Sequence, residues 1–157
     1  MKKGAWSGHW QALMGFLALC CIFSINTVLA QTATQQVIDL PARPGIMQRA
    51  LILTPPAPKA AVIMLAGGHG GLQIYQGGSM RWGEGNFVVR TRQLFADQGL
   101  VVVVLDTPSD RQNPPFLNGF RQTPEHVADV RAAIKWLRDT TGLPVWLMGT
   151  SRGTQSA

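Results

Sequence analysis

Apolar residues gather into three short uninterrupted runs, Ala61–Ala66, Leu100–Leu105 and Val145–Met148, separated by glycine, proline and polar segments. An unbroken apolar run of four to six residues is the pattern of a strand covered on both faces, as in a parallel sheet. Two helices are predicted between these strands. The first spans Phe87–Gln98, with Asn86 as its cap and Gly99 as a left-handed stop. The second starts after Thr123, with Pro124 at its first position, where a missing N–H leaves no bond unmade. Along it Val127, Val130, Ile134 and Leu137 recur at +3, +4 and +3, which directs one stripe toward the sheet. Further upstream, Val37–Leu40 and Arg49–Leu53 read as short strands around a Pro41–Gly45 turn, after a polar and mobile lead-in, Gln31–Gln36. The segment Thr54–Lys59 holds three prolines and cannot continue a ladder.

From Ala61 onward the order is strand, loop, helix, strand, loop, helix, strand. Such alternation implies an α/β fold with a mostly parallel sheet, right-handed crossovers and helices on both faces. Two long loops, residues 72–86 and 106–122, follow the carboxyl ends of strands, the edge where open α/β sheets place their sites.

Composition narrows the class. With 157 residues, 46% hydrophobic and 14% charged, the chain supports one domain with a real core and is not a disordered polymer. The first 30 residues are set apart from it. Lys2 and Lys3 precede an uncharged stretch, Ala12–Ile25, and Val28-Leu29-Ala30 offers small residues before Gln31. This is the layout of a secretory signal peptide, so the expected division is 1–30 signal and 31–157 domain, with export to the periplasm or medium. The alternative is an uncleaved anchor, since the apolar stretch extended through Ala30 nearly reaches the roughly 20 residues of a bilayer span. A lipoprotein signal fits less well, because Leu19 and not a small residue precedes Cys20. Both cysteines, Cys20 and Cys21, fall in this segment, which leaves the domain without a disulfide or thiolate. Beyond residue 30, twelve basic and eight acidic residues remain, with the arginines scattered singly. No stripe of the kind that binds nucleic acid is present in the sequence, and no His/Asp cluster has metal-ligand spacing, so neither a metal nor a cofactor is expected.

The candidate chemistry lies at two glycine-rich turns. Gly149-Thr150-Ser151-Arg152-Gly153 matches G-x-S-x-G and directly follows an apolar strand. There the pattern has mechanical meaning. A strand-to-helix turn this tight strains the serine backbone, and flanking glycines let strand and helix approach. Ser151 is the candidate nucleophile. The alternative is an ordinary glycine-flanked turn with a capping serine. The second turn is Gly67-Gly68-His69-Gly70-Gly71, after Ala61–Ala66. Acyl transfer creates a negative oxygen that needs preorganised N–H donors. The Arg152 amide is one candidate donor and the His69 or Gly70 amide the other. A phosphate cradle fits poorly, because the turn lacks both G-x-G-x-x-G and G-x-x-x-x-G-K spacing.

The stretches 64–72 (MLAGGHGGL), 85–112, 119–138 and 144–157 (PVWLMGTSRGTQSA) resemble the bacterial α/β-hydrolase superfamily, in particular its exported serine hydrolases. The resemblance implies a three-layer α/β-hydrolase-like sheet and cleavage of a small-molecule ester or acyl bond through an acyl-serine. It names no substrate. In that fold an acid and then a histidine follow the nucleophile, whereas only Arg152–Ala157 follow Ser151 and none of them is acidic or histidine. The expectation is therefore a chain truncated after the elbow, with little or no activity. A non-catalytic ligand-binding module and an inactive fragment are the competing readings. Val145–Met148 is then expected to be an exposed apolar edge. Upstream, His126 is a weak candidate base beside a capping or solvent-facing role, and Asp106 and Asp110 are candidate lining. Arg111, Arg121 and Arg152 are surface residues or contacts for an anionic group.

Overall fold

The computed structural model describes residues 32–157; the expectations for residues 1–30 lie outside that range. Five strands form one mixed sheet: β1 (Thr34–Arg43), β2 (Ile46–Thr54), β3 (Ala60–Leu65), β4 (Leu100–Pro108) and β5 (Val145–Gly149). Their order is β1-β2-β4-β3-β5. The β1–β2 and β2–β4 pairs are antiparallel, while β4–β3 and β3–β5 are parallel. Helices α1 (Phe87–Arg90) and α2 (Arg92–Asp97) lie between β3 and β4, and α3 (Pro124–Thr141) between β4 and β5.

The apolar strands divide by alternation into two cores. Val62, Met64, Val102 and Val104 face one side, where Val88, Val89 and Ala96 of the first two helices cover them. Ala61, Ile63, Val101, Val103 and Leu105 face the other, under Val130, Ala133 and Leu137 of α3. A strand apolar at every position is what a sheet covered on both faces requires.

Strand β4 runs on through residues 106–108, which the sequence reading gave to the loop 106–122, because it continues to pair with β2 as far as Pro108. Four other features differ from the sequence reading. Strand β1 is longer than Val37–Leu40 and takes in Thr34–Gln36, so that part of the expected mobile lead-in is paired to β2. An edge strand needs only its ladder, and these polar side chains stay exposed. Pro41 is tolerated within it because β1 pairs on one side only, next to a register shift between Pro41 and Arg43. The helix expected over Phe87–Gln98 is broken at Thr91, whose Oγ1 donates to the Phe87 carbonyl at 2.7 Å. Such back-bonding competes with the helix and bends it.

The other two differences concern polar residues. Asn86 makes no side-chain cap bond to the helix behind it. On α3 the predicted ends hold: the Thr123 hydroxyl accepts from the His126 amide at 3.3 Å, and Gly142 closes the helix at φ +67°. Its inward stripe, however, is His126, Asp129, Val130, Ala133 and Leu137, and Val127 is exposed. His126 is neither solvent-facing nor a side-chain cap. Asp129 is buried because Arg43 from β1 meets it through Nε at 2.7 Å.

Candidate active site

The parallel strands finish in step. Leu65 of β3 stands opposite both Leu105 of β4 and Gly149 of β5, so Gly67 and Ser151 emerge beyond their strands where Asp106 follows the last parallel pair of β4, which runs on beside β2 to Pro108. That register is the structural reason why residues more than 80 positions apart in the chain share a site.

At β5 the turn is as tight as the motif requires. Ser151 holds φ +52°, a left-handed backbone that non-glycine residues rarely adopt. It starts a short 3₁₀ helix, Ser151–Gln155, and the side chain is exposed at the sheet edge. The flanking glycines are obligatory by contact. A Cβ on Gly149 would strike the Gly153 carbonyl, and a Cβ on Gly153 would strike the Leu65 carbonyl of β3. The elbow thus closes on itself and against the neighbouring strand with no room for a methyl group. Strain of this kind, held by packing on all sides, is typical of sites that present one side chain in a fixed pose.

The glycine loop meets the elbow at Gly67. An added Cβ there would lie 2.7 Å from the Thr150 carbonyl and 3.1 Å from Ser151 Cβ. The loop then turns away. The His69 carbonyl accepts from the Leu117 amide at 3.0 Å, its ring stacks on Phe116 at 4.5 Å, and its Nδ1 accepts from the Gly71 amide at 3.1 Å. Gly70 packs against Leu117 and Arg121. Among the described residues no protein acceptor takes the Gly68, His69, Gly70 or Arg152 amide. A cavity of about 270 Å³ lies along residues 66–72, closed by Gly83 and Asn86.

Two buried side chains hold this loop in place. Asp106, within β4 just past its last pair with β3, accepts from the amides of Leu72 and Gln73 at Oδ1 (2.8 and 3.1 Å) and of Ile74 at Oδ2 (2.8 Å). Its own neighbour Thr107 adds a fourth amide at 2.7 Å. A carboxylate with four such donors acts as a backbone clamp. The sequence reading placed Asp106 as lining; the step Leu-Asp at the end of an apolar run was the only signal of it. Arg121 is the second clamp. Its Nη2 donates to the Ala66 carbonyl at 2.8 Å and its Nη1 to the Ser156 hydroxyl at 2.8 Å, which ties the glycine loop to the segment after the elbow. Burial, and then the nearby Arg152, lower its guanidinium below the usual arginine value. Arg152 itself is exposed and donates to Asn118 Oδ1 at 2.9 Å.

His126 lies apart from Ser151's hydrogen-bonding groups. It sits edge-on to Phe120, and neither ring nitrogen has a partner among the described residues. Burial pushes its imidazole down to about 4, with Arg121 and Arg43 adding to the effect. Asp110 pairs with Arg43 at 3.0 Å, and Arg111 stacks over Phe120 at 4.4 Å. His126, Arg43 and Arg111 gather around the Phe120 ring.

No protein-family model matches the chain, and no curated protein matches it in sequence. Solved structures do. An esterase of Pyrococcus furiosus aligns at a TM-score of 0.59 and 17% identity, over 80% of this chain and 45% of its own. The dienelactone hydrolase of Anabaena variabilis aligns at 0.55 and 12% identity, over 78% and 54%. The chain has the α/β-hydrolase fold. A brefeldin A esterase, a bacterial homologue of human hormone-sensitive lipase, aligns at 0.53 and 20% identity over 91% of this chain and 38% of its own. The α/β-hydrolase-fold chain described here therefore spans between about two fifths and just over half the length of these structures.

Proposed function

We propose that this α/β-hydrolase-fold chain carries the nucleophile of a serine hydrolase acting on small-molecule esters, with Ser151 as the attacking residue. One observation carries the reading: Ser151, in a left-handed backbone conformation at the end of β5, lies against Gly67 of the loop after β3. Amides of the glycine loop and of Arg152 that have no internal partner among the described residues support the reading, since acyl transfer needs free N–H donors near the nucleophile. In the reaction Ser151 Oγ bonds to the carbonyl carbon, the carbonyl π pair moves to oxygen, and the hydroxyl proton passes to a base. Collapse expels the alkoxide, which takes that proton and leaves the acyl group on Ser151. The negative oxygen is held by the Arg152 amide on one side. On the other side the second donor is the His69 or Gly70 amide, in the loop that meets the elbow at Gly67.

No histidine or acid follows Ser151 among the 157 residues, and the buried His126 makes no bond to it. In a comparable triad, loss of the histidine lowers turnover by about 10⁶. Incubation with p-nitrophenyl acetate, followed by peptide mass mapping, tests the assignment. Acetyl on Ser151, absent in Ser151→Ala, supports it; acetylation elsewhere in the folded protein and not at Ser151 defeats it. The named esterases among the similar structures agree with an ester substrate. We further propose export, on the N-terminal segment alone. An N-terminus beginning at Gln31 in the periplasmic fraction is the expected result, and an intact Met1 in the membrane fraction contradicts cleavage.

A further inference from the structure

Asn86 stands where a helix cap belongs, yet its carboxamide is turned to the elbow. Oδ1 accepts from Thr150 Oγ1 at 3.3 Å, across 64 residues of sequence. Thr150 immediately precedes Ser151, so this bond fixes the amide plane relative to the nucleophile. Nδ2 has no acceptor among the described residues and faces Gly67, lying 3.4 Å from where a Cβ on that glycine would sit. Ser151 Cβ lies 3.1 Å from the same point. Nδ2 and Ser151 Cβ are thus separated by no more than those two distances together. An acyl group on Oγ whose oxygen accepts at about 2.9 Å spans such a gap.

Among the described residues, His69 and Asn86 are the polar side chains that line the cavity along the glycine loop. His69 Nδ1 accepts from the Gly71 amide and its ring stacks on Phe116, so the ring offers only Nε2–H as a donor. Of the two side-chain donors along the cavity, Asn86 Nδ2 is the one set against Gly67, the residue in contact with Ser151. We propose that Asn86 Nδ2 is a third donor to the substrate's carbonyl oxygen, beside the backbone amides, and strengthens its hold as that oxygen becomes negative. The inference rests on Ser151 being the attacking residue. It makes Asn86 a catalytic residue by contact with the reacting oxygen, and Thr150 the residue that positions it.

Butylboronic acid, which adds to a serine oxygen as a tetrahedral anion and releases the hydroxyl proton to solvent, is the probe. Boron-11 NMR reads the tetrahedral adduct and calorimetry its affinity, on the full chain and on Ser151→Ala, Asn86→Asp and Thr150→Val. Asn86→Asp keeps the shape and the bond from Thr150 but replaces the donor by an acceptor. The expected result is an adduct lost in Ser151→Ala, weakened more than tenfold in Asn86→Asp at neutral pH with partial recovery on acidification, and weakened to a smaller degree in Thr150→Val. Thermal melts of the free proteins show whether each variant is folded, and Thr150→Val alone carries the test if Asn86→Asp is not. A Ser151-dependent adduct of unchanged affinity in the folded variants overturns the role of Asn86 and leaves Ser151 standing. Absence of any adduct on the folded parent removes the reading of Ser151 and this inference with it.

Discussion

Strands β3 and β5 are adjacent, parallel and in register, both are apolar, and both run into a glycine-rich turn. Their surroundings differ. From Ala61 to Leu65 every residue of β3 is buried, between β4 and β5 in the sheet and between two layers of helix. Strand β5 pairs only with β3; Trp146 is 66% exposed and Leu147 37%. The same apolar pattern therefore describes a central strand and an edge strand. It reports what a segment is suited to, while burial depends on which neighbours are present. The elbow nevertheless forms on β5, because its geometry is set by contact with β3 through Gly153 and Leu65 and not by whatever lies beyond the edge.

Substitutions along the two strands sharpen the contrast. Ile63→Ala, at the centre of β3, should lower stability by about 2–5 kcal/mol in denaturant titrations, as expected for emptying a fully buried aliphatic site. Gly153→Ala, where β5's turn meets β3, should cost about 1–3 kcal/mol through forced displacement of the Leu65 carbonyl. Asp106→Asn should cost about 1–3 kcal/mol, since an amide cannot serve all four N–H donors, and should raise hydrogen exchange at Leu72–Ile74. The exposed Trp146→Lys should change stability by less than about 0.5 kcal/mol while reducing self-association in sedimentation. If Trp146→Lys cost as much as Ile63→Ala, the contrast between the strands would be wrong.

The helix that covers β3 on one side adds a pH dependence. Unfolded, His126 takes up a proton near its ordinary 6.5; folded, it does so only near about 4. The folded form is favoured above the higher value, and its advantage is lost as pH falls from 6.5 to about 4, because the unfolded chain binds the extra proton. His126→Phe should flatten that part of a stability-against-pH curve. An unchanged slope would place the titration elsewhere.

Features set by neighbours in sequence were legible. The Thr123–Pro124 start and Gly142 stop of α3, the apolar strands and the glycine-flanked serine all follow from residues within a few positions of one another. Features set by distant partners were not. His126 read as a weak base, a cap or a solvent-facing residue, and Asp129 carried no reading, because nothing nearby in sequence shows that Phe120 and Arg43 will meet them. Asn86 read as a cap because its partner, Thr150, is 64 residues away. Thr91 broke a helix that its end signals, Asn86 and Gly99, had marked as continuous. Asp106 illustrates the same point: it is a single acid after an apolar run, and its role emerges only once three amides of another loop converge on it.

The measurement that bears most directly on the central claim is labelling of the folded chain by a fluorophosphonate, with and without added imidazole as an external base. The account predicts modification at Ser151, mapped by peptide mass spectrometry, faster with imidazole and absent in Ser151→Ala. Equal labelling of Ser151→Ala, or a folded chain inert at Ser151 at every imidazole concentration, would contradict it.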